Sequence, residues 1–402
     1  MSTETNSTPA GGTAGSDAAG AVTAPAGFRA AGVAAGLKAS GGRDVALVVN
    51  EGPAKAAAAV FTRNRVAAAP VLWSRQVVTD GRVDAVILNS GGANACTGPQ
   101  GFQDTHTTAE KTAELLGISA GDVLVCSTGL IGEPLPMDKL LPGVEAAAAQ
   151  LAADGGAVAA EAIMTTDTVP KQALFTGPGY TIGGMAKGAG MLAPGLATML
   201  VVLTTDAALD ASALDTALRA ATAVTFDRTD SDGCMSTNDT VVLMASGASG
   251  TEPAAAGFTA GLTEVCASLA RQLITDAEGA SHDIAITTVN AATVADAETA
   301  ARAVARSNLF KTAIFGNDPN WGRVLSAVGT TDAAFEPENL NVSINGVQVC
   351  RNGGVGEPRD LVDLTGREVT VEIDLGAGTE SATIWTNDLT TAYVHENSAY
   401  SS

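Results

Sequence analysis

One threonine stands at the end of a loop whose composition suits a reaction of the chain with itself. The sequence from Lys187 reads Lys-Gly-Ala-Gly-Met-Leu-Ala-Pro-Gly-Leu-Ala-Thr, and Thr198 opens an apolar run typical of a buried strand. No residue from 188 to 197 carries a charge, and small residues let a backbone bend sharply and approach itself. If the Thr198 hydroxyl attacks the Ala197 carbonyl, Thr198 becomes a new amino terminus that carries a nucleophile and a base. From the loop alone, a tight structural connection is the competing interpretation.

Four further polar clusters follow apolar runs or helical segments, where their side chains can reach a common cleft. Each cluster alone is also explained by local structure, because Asn, Gly and Ser form turns and Asp or Ser caps helices. The four clusters are Asn89–Thr97, Ser127–Gly129, Met164–Thr168 and Asp276–His282.

Composition restricts the classes of partner. The net charge of −21 opposes binding to duplex nucleic acid or to an anionic membrane. No apolar run approaches the roughly 18 residues that a bilayer-spanning helix needs. Residues 1–27 contain no Lys or Arg and are rich in Ala, Gly, Ser and Thr, so they predict a disordered tail and no secretory signal.

Cysteine and histidine usage argues against metal and disulfide chemistry. The five cysteines are odd in number and lack C-x-x-C spacing, which predicts reduced core thiols in a cytoplasmic protein. None of the three histidines has a metal-ligand spacing from another, so no metal is expected, and few residues could form a Ser-His-Asp triad. These residues are Cys96, Cys126, Cys234, Cys266, Cys350, His106, His282 and His395.

The apolar patterns predict an α/β protein in which helices cover mixed sheets, more than a doubly wound parallel sheet. No Rossmann or phosphate-loop fingerprint is present. Strands are predicted at Val45–Val49, Ala85–Leu88, Val123–Val125, Met199–Leu203, Thr240–Met244, Ile284–Val289, Val369–Ile373 and Ala382–Trp385. Helices are predicted at Thr107–Leu116, Gly143–Ala153, Ala211–Ala223, Ala260–Thr275 and Ala292–Phe315.

Taken together, these segments resemble the glutamate N-acetyltransferases of arginine biosynthesis, also called ornithine acetyltransferases. The resemblance runs from about Phe28 to Ser402 in the order of the family. Its most specific part is the Lys-Gly-x-Gly-Met-x-x-Pro-x-x-Ala-Thr-Met-Leu core. The other matching segments are Asn89–Thr97, Ser127–Gly129, Met164–Thr168, Ser236–Thr240, Ser307–Leu309, Gly316–Arg323 and Glu396-Asn397. Two departures occur: Gly92 replaces an Asn, and Ser281-His282 replaces Thr-Lys after Glu278-Gly-Ala.

The resemblance implies a role for particular residues. Thr198 would be the nucleophile of both self-cleavage at Ala197–Thr198 and acetyl transfer. The Thr128 hydroxyl and the Gly129 N–H would form the oxyanion hole. Substrate would be held by Thr165, Lys187, Thr198, Glu278, Asn397 and Ser402. For Ser402, a frayed carboxyl terminus is the competing interpretation.

The resemblance also implies a fold and a reaction. The expected fold is a layered α-β-β-α sandwich with an N-terminal-nucleophile arrangement, cut into fragments 28–197 (after the tail 1–27) and 198–402. Two copies of each fragment would assemble into a heterotetramer. Acetyl would pass from N2-acetyl-L-ornithine through Thr198 to L-glutamate, with no metal or organic cofactor. Some family members also use acetyl-coenzyme A as donor, and the sequence leaves this open here.

Two other classes of protein remain alternatives. A hydrolase with an N-terminal threonine would share the nucleophile but let water release the acyl group. A non-catalytic binding protein would retain only the scaffold. Incubation with N-acetylornithine, with and without glutamate, distinguishes transfer, hydrolysis and no reaction.

Overall fold

The computed structural model describes residues 19–193 and 199–399. The strands in this part of the chain are β1 Phe28–Val33, β2 Val45–Asn50, β3 Ala56–Phe61, β4 Ala85–Asn89, β5 Val123–Ser127, β6 Lys171–Gly177, β7 Tyr180–Lys187, β8 Leu200–Thr205, β9 Thr240–Ala245, β10 Asp283–Ala291, β11 Asn341–Ile344, β12 Val347–Arg351, β13 Gly354–Val355, β14 Glu368–Asp374 and β15 Glu380–Asn387. The helices are α1 Ala69–Val77, α2 Gly98–Leu116, α3 Met137–Ala149, α4 Gly156–Ala162, α5 Ala211–Val224, α6 Ala255–Thr275, α7 Val294–Ala305, α8 Asn308–Phe315, α9 Trp321–Val328 and α10 Thr391–Ala399.

A four-stranded sheet has the order β1-β2-β4-β5, in which only the β4–β5 pair is parallel. Its central strands are apolar along nearly their whole length, because both faces of the sheet are covered. On one face, Leu47 and Ile87 pack against Ala109 of α2 and Val144 of α3. This sheet therefore carries an outer layer of helices.

A five-stranded sheet has the order β3-β9-β8-β7-β6, with β8 and β9 parallel and the other neighbours antiparallel. Its outer face packs Val201 and Leu243 against Leu218 of α5 and Leu262 of α6. The Asp210 side chain accepts a hydrogen bond from the Ala213 N–H and caps α5.

The inner faces of the two sheets meet in a shared core. Val48 and Leu88 of the first sheet lie in one apolar cluster with Met185, Val202 and Met244 of the second. The order of layers is thus helices, sheet, sheet, helices, and the prediction of a mixed α/β sandwich is confirmed. Its self-cleavage into two fragments stays a prediction.

A six-stranded sheet, β13-β12-β11-β14-β10-β15, follows in the second half of the chain. Strand β14 alternates buried and exposed residues, so one face of this sheet is solvated. The other face packs Ile286 and Val371 against Ala300 of α7, Phe310 of α8 and Val324 of α9. The turn from α6 into β10 of this sheet carries Glu278.

The predictions for the amino-terminal tail and for the cysteines need correction. Residues 19–27 belong to the predicted tail, yet they include a turn of 3-10 helix with Ala21 and Val22 buried, because these apolar side chains find a place in the core. All five cysteines are unpaired, but Cys96 and Cys234 are exposed because they lie in loops outside the core. No helix in the described ranges is long and apolar enough to cross a membrane.

Candidate active site

The ends of β4 and β5 bring two of the predicted clusters together. Because these strands are parallel and in register from Ala85 to Asn89, their carboxyl ends lie at the same edge of the sheet. The Thr128 N–H donates to the Asn89 carbonyl at 3.0 Å, and the Gly92 N–H donates to the Thr128 carbonyl at 3.0 Å. The loops that follow the two strands therefore form one rigid wall.

Gly129 needs to be glycine in this wall. Its φ is 135°, a value that L-residues rarely adopt. A Cβ atom at this position would lie 2.8 Å from the Gly92 nitrogen. The backbone at 128–129 can thus pack directly on the loop after β4. A larger residue at position 129 would prevent this contact.

Lys187 contributes the charged group nearest to this wall. It is the last residue of β7, its side chain is 1% exposed, and its Nζ donates to Thr128 Oγ1 at 3.1 Å. Burial lowers the pKa of Lys187 below its ordinary value, with Asp167 acting in the opposite direction. Because Thr128 Oγ1 accepts from Lys187 Nζ, the hydroxyl proton of Thr128 remains available for donation.

The Asp167 carboxylate connects two parts of the site. Its Oδ1 accepts from Lys171 Nζ and from the Gly188 N–H, each at 2.6 Å, and its Oδ2 accepts from the Thr165 N–H at 2.9 Å. Burial alone would raise the pKa of Asp167, but the positive charges of Lys187 and Lys171 outweigh it and lower this pKa to about 2. Asp167 is therefore an anion that fixes both Thr165 and the chain leaving β7.

Glu278 lines the same cavity as Thr128. Its Oε1 accepts from Thr166 Oγ1 at 2.8 Å, and its Oε2 accepts from Asn397 Nδ2 at 3.0 Å. The backbone of Gly190 approaches so closely that a Cβ atom there would lie 2.6 Å from Glu278 Oε2. The glycine at 190 thus lets the loop after β7 pass beside this carboxylate.

Two aspartates hold the chain on either side of the predicted cleavage bond. Asp232 Oδ2 accepts from the N–H of Met191, a residue in the left-handed region with φ of 59°. Asp239 Oδ1 accepts from the Met199 N–H at 3.1 Å. Burial raises the pKa of both carboxyl groups above the ordinary value for aspartate. Ala197, Thr198 and Ser402 lie outside the described residues.

One cavity of about 460 Å³ collects the predicted site residues that the structure describes. Each of the four polar clusters contributes to its lining. The predicted residues in the lining are Thr128, Gly129, Thr165, Lys187, Glu278 and Asn397. Residues in the lining that sequence reasoning did not select include Lys38, Asp232, Cys234, Asn238 and Tyr393.

The cavity can bind a molecule that carries both signs of charge. Lys187 supplies a buried amine, and Asp232 and Glu278 supply carboxyl groups elsewhere in the lining. Burial and the nearby charges of Asp232 and Glu278 raise the pKa of the Tyr393 hydroxyl to about 12. An amino acid or acylated amino acid matches this pattern of charges, because its charged groups can pair with lining side chains of the opposite sign.

The departure at Ser281-His282 lies beside this cavity but does not line it. The His282 ring is 2.8 Å from Asp388 Oδ2 through Nδ1 and 3.1 Å from the Leu364 carbonyl through Nε2. The Ser281 N–H also donates to Asp388 Oδ1, at 2.9 Å. The two replaced residues therefore fasten the turn after α6 to the loop after β15, and Glu278 alone of this cluster lines the cavity.

A family model and relatives compared by sequence match nearly the whole chain. The model described as the ArgJ family matches residues 29–402. The "Arginine biosynthesis bifunctional protein ArgJ" of Streptomyces coelicolor is 68% identical over 381 residues, which cover 95% of this chain and 100% of the relative. The protein of the same name from Mycolicibacterium paratuberculosis is 60% identical over 390 residues, covering 95% and 96%. A solved ornithine acetyltransferase from Mycobacterium tuberculosis, complexed with ornithine, is 61% identical and matches 47% of this chain and 100% of its own, with a TM-score of 0.45.

Proposed function

Because the chain belongs to the ArgJ family, we propose that it is an arginine-biosynthesis acetyltransferase that works through an acetyl-Thr198 intermediate. The donor is N2-acetyl-L-ornithine and the acceptor is L-glutamate, so the products are L-ornithine and N-acetyl-L-glutamate. The observation that carries the proposal is the Lys187–Thr128 hydrogen bond in a cavity that also holds Glu278. The names of the curated relatives, which are arginine biosynthesis proteins, support the same pathway.

The reaction begins with cleavage of the chain. The Thr198 hydroxyl attacks the Ala197 carbonyl carbon, the C–N bond breaks, and water hydrolyses the resulting ester. This frees the α-amino group of Thr198, whose reference pKa is about 7.7–8.0, so a useful fraction is neutral near pH 7. That amine then serves as the base for the hydroxyl of the same residue, and no histidine is needed.

Acetyl transfer from N-acetylornithine follows on the same hydroxyl. As the Thr198 oxygen attacks the acetyl carbonyl, the developing oxyanion is stabilised by the Thr128 hydroxyl and the Gly129 N–H. The Lys187 ammonium donates to Thr128 Oγ1 and so makes this hydroxyl a stronger donor. The C–N bond of the tetrahedral intermediate breaks, the departing amine takes the proton held by the Thr198 amine, and ornithine leaves.

Charge complementarity explains how one cavity accepts both substrates. Lys187 suits a substrate carboxylate, and Glu278 suits an ammonium group of ornithine. Thr165 and Asn397 are fixed by Asp167 and Glu278, respectively, so their polar groups are positioned before substrate enters. Ser402 contributes a further contact to the substrate in this proposal.

Glutamate completes the exchange by attacking the acetyl-Thr198 ester with its amine. The sequence of two half-reactions is a ping-pong mechanism, and each step moves only protons and the acetyl group. No metal or organic cofactor is required by this chemistry. We also propose that acetyl-coenzyme A acts as a second donor, which the word "bifunctional" in the names of the relatives supports.

The proposal extends to the assembly. After cleavage, fragments 1–197 and 198–402 stay paired, because β7 and β8 lie on opposite sides of the cut and share a register from Ile182–Thr205 to Lys187–Leu200. Two such pairs form a heterotetramer in the cytoplasm.

Self-cleavage predicts two fragments in the purified protein. Under denaturing conditions we expect bands for residues 1–197 and 198–402, and amino-terminal sequencing of the second should begin Thr-Met-Leu. An uncut wild-type chain that is fully active would overturn the mechanism, because the α-amino base would then be absent.

Product analysis tests the reaction itself. With N-acetylornithine and glutamate, we expect ornithine and N-acetylglutamate in equal amounts, and without glutamate at most one ornithine per active site. Continued release of acetate without glutamate would indicate a hydrolase, and no turnover would indicate a binding protein. Glutamate with acetyl-coenzyme A as sole donor should also give N-acetylglutamate if the enzyme uses both donors.

A further inference from the structure

Lys38 is a basic residue of the cavity to which the proposed reaction gives no task. It lies in the loop between β1 and β2, is half-buried, and lines the same cavity as Lys187. Among the described residues of the lining, these two lysines are the only basic side chains, and Asp232 and Glu278 are the acidic ones. The cavity therefore has one basic group more than the binding of a single carboxylate needs.

The loop that carries Lys38 is fixed to the wall of the cavity. At its centre is the buried Asp44 carboxylate, which accepts from the Leu37 N–H at 2.6 Å and the Lys38 N–H at 3.1 Å. The Asp44 carbonyl accepts from the Ser90 N–H at 2.9 Å, and Ser90 lines the cavity. Gly91 leaves room for Leu37, because a Cβ atom at position 91 would lie 2.2 Å from Leu37 Cβ. The backbone at Lys38 is thus anchored beside the loop after β4.

The Lys38 amine has donors available and lies within reach of the Lys187 charge. Burial lowers the pKa of Lys38, and the carboxylates of Asp44 and Asp167 act to raise it. The Lys187 charge lowers the same pKa, so the two amines repel each other, and an anion bound near both would offset this repulsion. Within residues 19–193 and 199–399, Lys38 Nζ donates to one acceptor, the Arg43 carbonyl at 2.7 Å. An ammonium has three donors, so two remain for a ligand.

The two substrates of the proposed reaction differ in the sign of one charge. N2-acetyl-L-ornithine and L-glutamate both carry an α-carboxylate, for which Lys187 is available. The side chain of the donor ends in an ammonium group, which suits Glu278, whereas the side chain of glutamate ends in a carboxylate. Beside Glu278 that second carboxylate would be disfavoured, because like charges in a partly buried site repel each other. A dicarboxylic acceptor therefore requires a second positive group in the cavity.

We propose that Lys38 binds the side-chain carboxylate of glutamate and so selects the acceptor of the second half-reaction. This rests on the proposed function. Since N-acetylornithine has no second carboxylate, Lys38 takes no part in binding the donor, and the ends of the two side chains are recognised by different residues. Lys38 neither contacts the acetyl group nor moves a proton, so its contribution lies in acceptor specificity.

Lys38→Met is the variant that tests this role, because methionine keeps an unbranched apolar side chain and removes the charge. The matched control is Lys55→Met in the loop between β2 and β3. Lys55 is also half-buried, its Nζ also donates to a backbone carbonyl five residues away, that of Asn50, and burial also lowers its pKa. It does not line the cavity. Lys38→Arg keeps a positive charge and serves as the conservative variant.

The measurement is kcat/KM for each substrate, because in a ping-pong reaction each value reports its own half-reaction. We expect Lys38→Met to lower kcat/KM for glutamate by roughly 10- to 100-fold, the usual cost of a lost hydrogen bond to a charged group. The value for N-acetylornithine should stay close to that of the wild type. Lys38→Arg should recover most of the loss, and Lys55→Met should match the wild type with both substrates.

Glutamine as acceptor gives a second measurement, because it has the shape of glutamate without the side-chain charge. The wild type should prefer glutamate to glutamine by a similar factor, and Lys38→Met should lose most of this preference. A residue that only supports the fold would lower the values for both acceptors equally and leave the ratio unchanged.

Several results would overturn the proposal. One is a Lys38→Met enzyme with an unchanged kcat/KM for glutamate, another is an equal fall for glutamate and N-acetylornithine, and a third is the same selective fall in Lys55→Met. If Lys38→Met does not fold, the wild type decides, and equal acetylation of glutamate and glutamine overturns the role. These outcomes differ from failure of the proposed function, in which the wild type itself would transfer no acetyl group from N-acetylornithine to glutamate.

Discussion

Thr198→Ala should remain a single chain of 402 residues and should transfer no acetyl groups. The substitution removes the only oxygen that can attack the Ala197 carbonyl from residue 198, so the bond stays intact. Without cleavage there is also no free α-amino group, so the variant lacks both the nucleophile and the base. Loss of a nucleophile in such units lowers kcat by on the order of 10⁶, which is below detection in an ordinary assay.

The fold should survive this change, because the contacts that border the junction use other residues. Asp232 holds the Met191 N–H, and Asp239 holds the Met199 N–H. The thermal unfolding midpoint of Thr198→Ala should therefore serve as its control. Acetyl transfer by an uncut, folded Thr198→Ala chain would rule out Thr198 as the nucleophile.

Thr198→Ser separates the two tasks of the hydroxyl. Serine retains the oxygen but lacks the β-methyl group that restricts χ1, so cleavage should be slower or incomplete. The fraction that is cut should retain some transfer activity. Mass spectrometry after N-acetylornithine alone should place an acetyl group on residue 198 in this variant and in the wild type. An acetyl group found on Cys234, the exposed thiol that lines the cavity, would show that Thr198 is not the nucleophile.

Continuous apolar runs predicted the central strands well. Val45–Val49 and Ala85–Leu88 fall within β2 and β4, and the other six predicted strands also overlap strands of the structure. The segments in β2 and β4 are buried on both faces, so nearly every residue is apolar and the pattern is visible in a single sequence. The layered arrangement followed from the same signal, since such strands need helices or another sheet on each face.

Strands with unusual composition were not predicted. Strand β3 has the sequence Ala-Ala-Ala-Ala-Val-Phe, which local propensity assigns to a helix, yet it pairs along its length with β9. Strand β7 contains Gly183 and Gly184, which usually weaken a strand. At Gly183 a Cβ atom would lie 1.8 Å from the Ala21 carbonyl oxygen. Close packing against a segment that is distant in sequence therefore requires glycine at this position.

The helix predicted at Ala292–Phe315 is two helices in the structure. Helix α7 ends at Ala305, and the Ser307 hydroxyl accepts from the Phe310 N–H at 3.3 Å to begin α8. Serine before a new apolar repeat is a helix-start signal, but the surrounding alanines continue the helical pattern across it. Boundaries inside long Ala-rich segments were therefore the least predictable part of the fold.

The site was predicted where its residues have a local signature and missed where they do not. Thr128 and Lys187 stand at strand ends within recognisable motifs, and both line the cavity. Lys38 and Tyr393 reach the same cavity from a loop and a helix that are remote in sequence. Asp232 and Asp239 flank a polar loop in which either carboxylate could have been solvated. Only the hydrogen bonds from the Met191 and Met199 N–H groups show that these two carboxyl groups hold the backbone and do not simply face solvent.

Thr128→Ala should lower kcat for acetyl transfer by roughly 10²–10³, the usual cost of one oxyanion-hole donor, or about 3–4 kcal/mol. The Thr128 hydroxyl accepts from Lys187 and can donate its own proton, so it acts most strongly when negative charge develops on the acetyl oxygen. The KM for N-acetylornithine should change little, because the neutral carbonyl of the bound substrate gains less from this donor than the transition state does. Measurement of kcat and KM on fully cleaved protein isolates this effect from any effect on processing.

Two further substitutions show whether the hydroxyl, and not the shape of the residue, is responsible. Thr128→Ser keeps the hydroxyl and should retain most of kcat, whereas Thr128→Val keeps the volume and should behave like alanine. The backbone hydrogen bonds from Gly92 and to Asn89 involve main-chain atoms of Thr128 and should persist in all three variants. An unchanged kcat in Thr128→Val would remove this hydroxyl from the oxyanion hole. A fall in Thr128→Ser as large as that in Thr128→Val would instead assign the loss to altered packing beside Lys187, because the donor is still present in the serine variant.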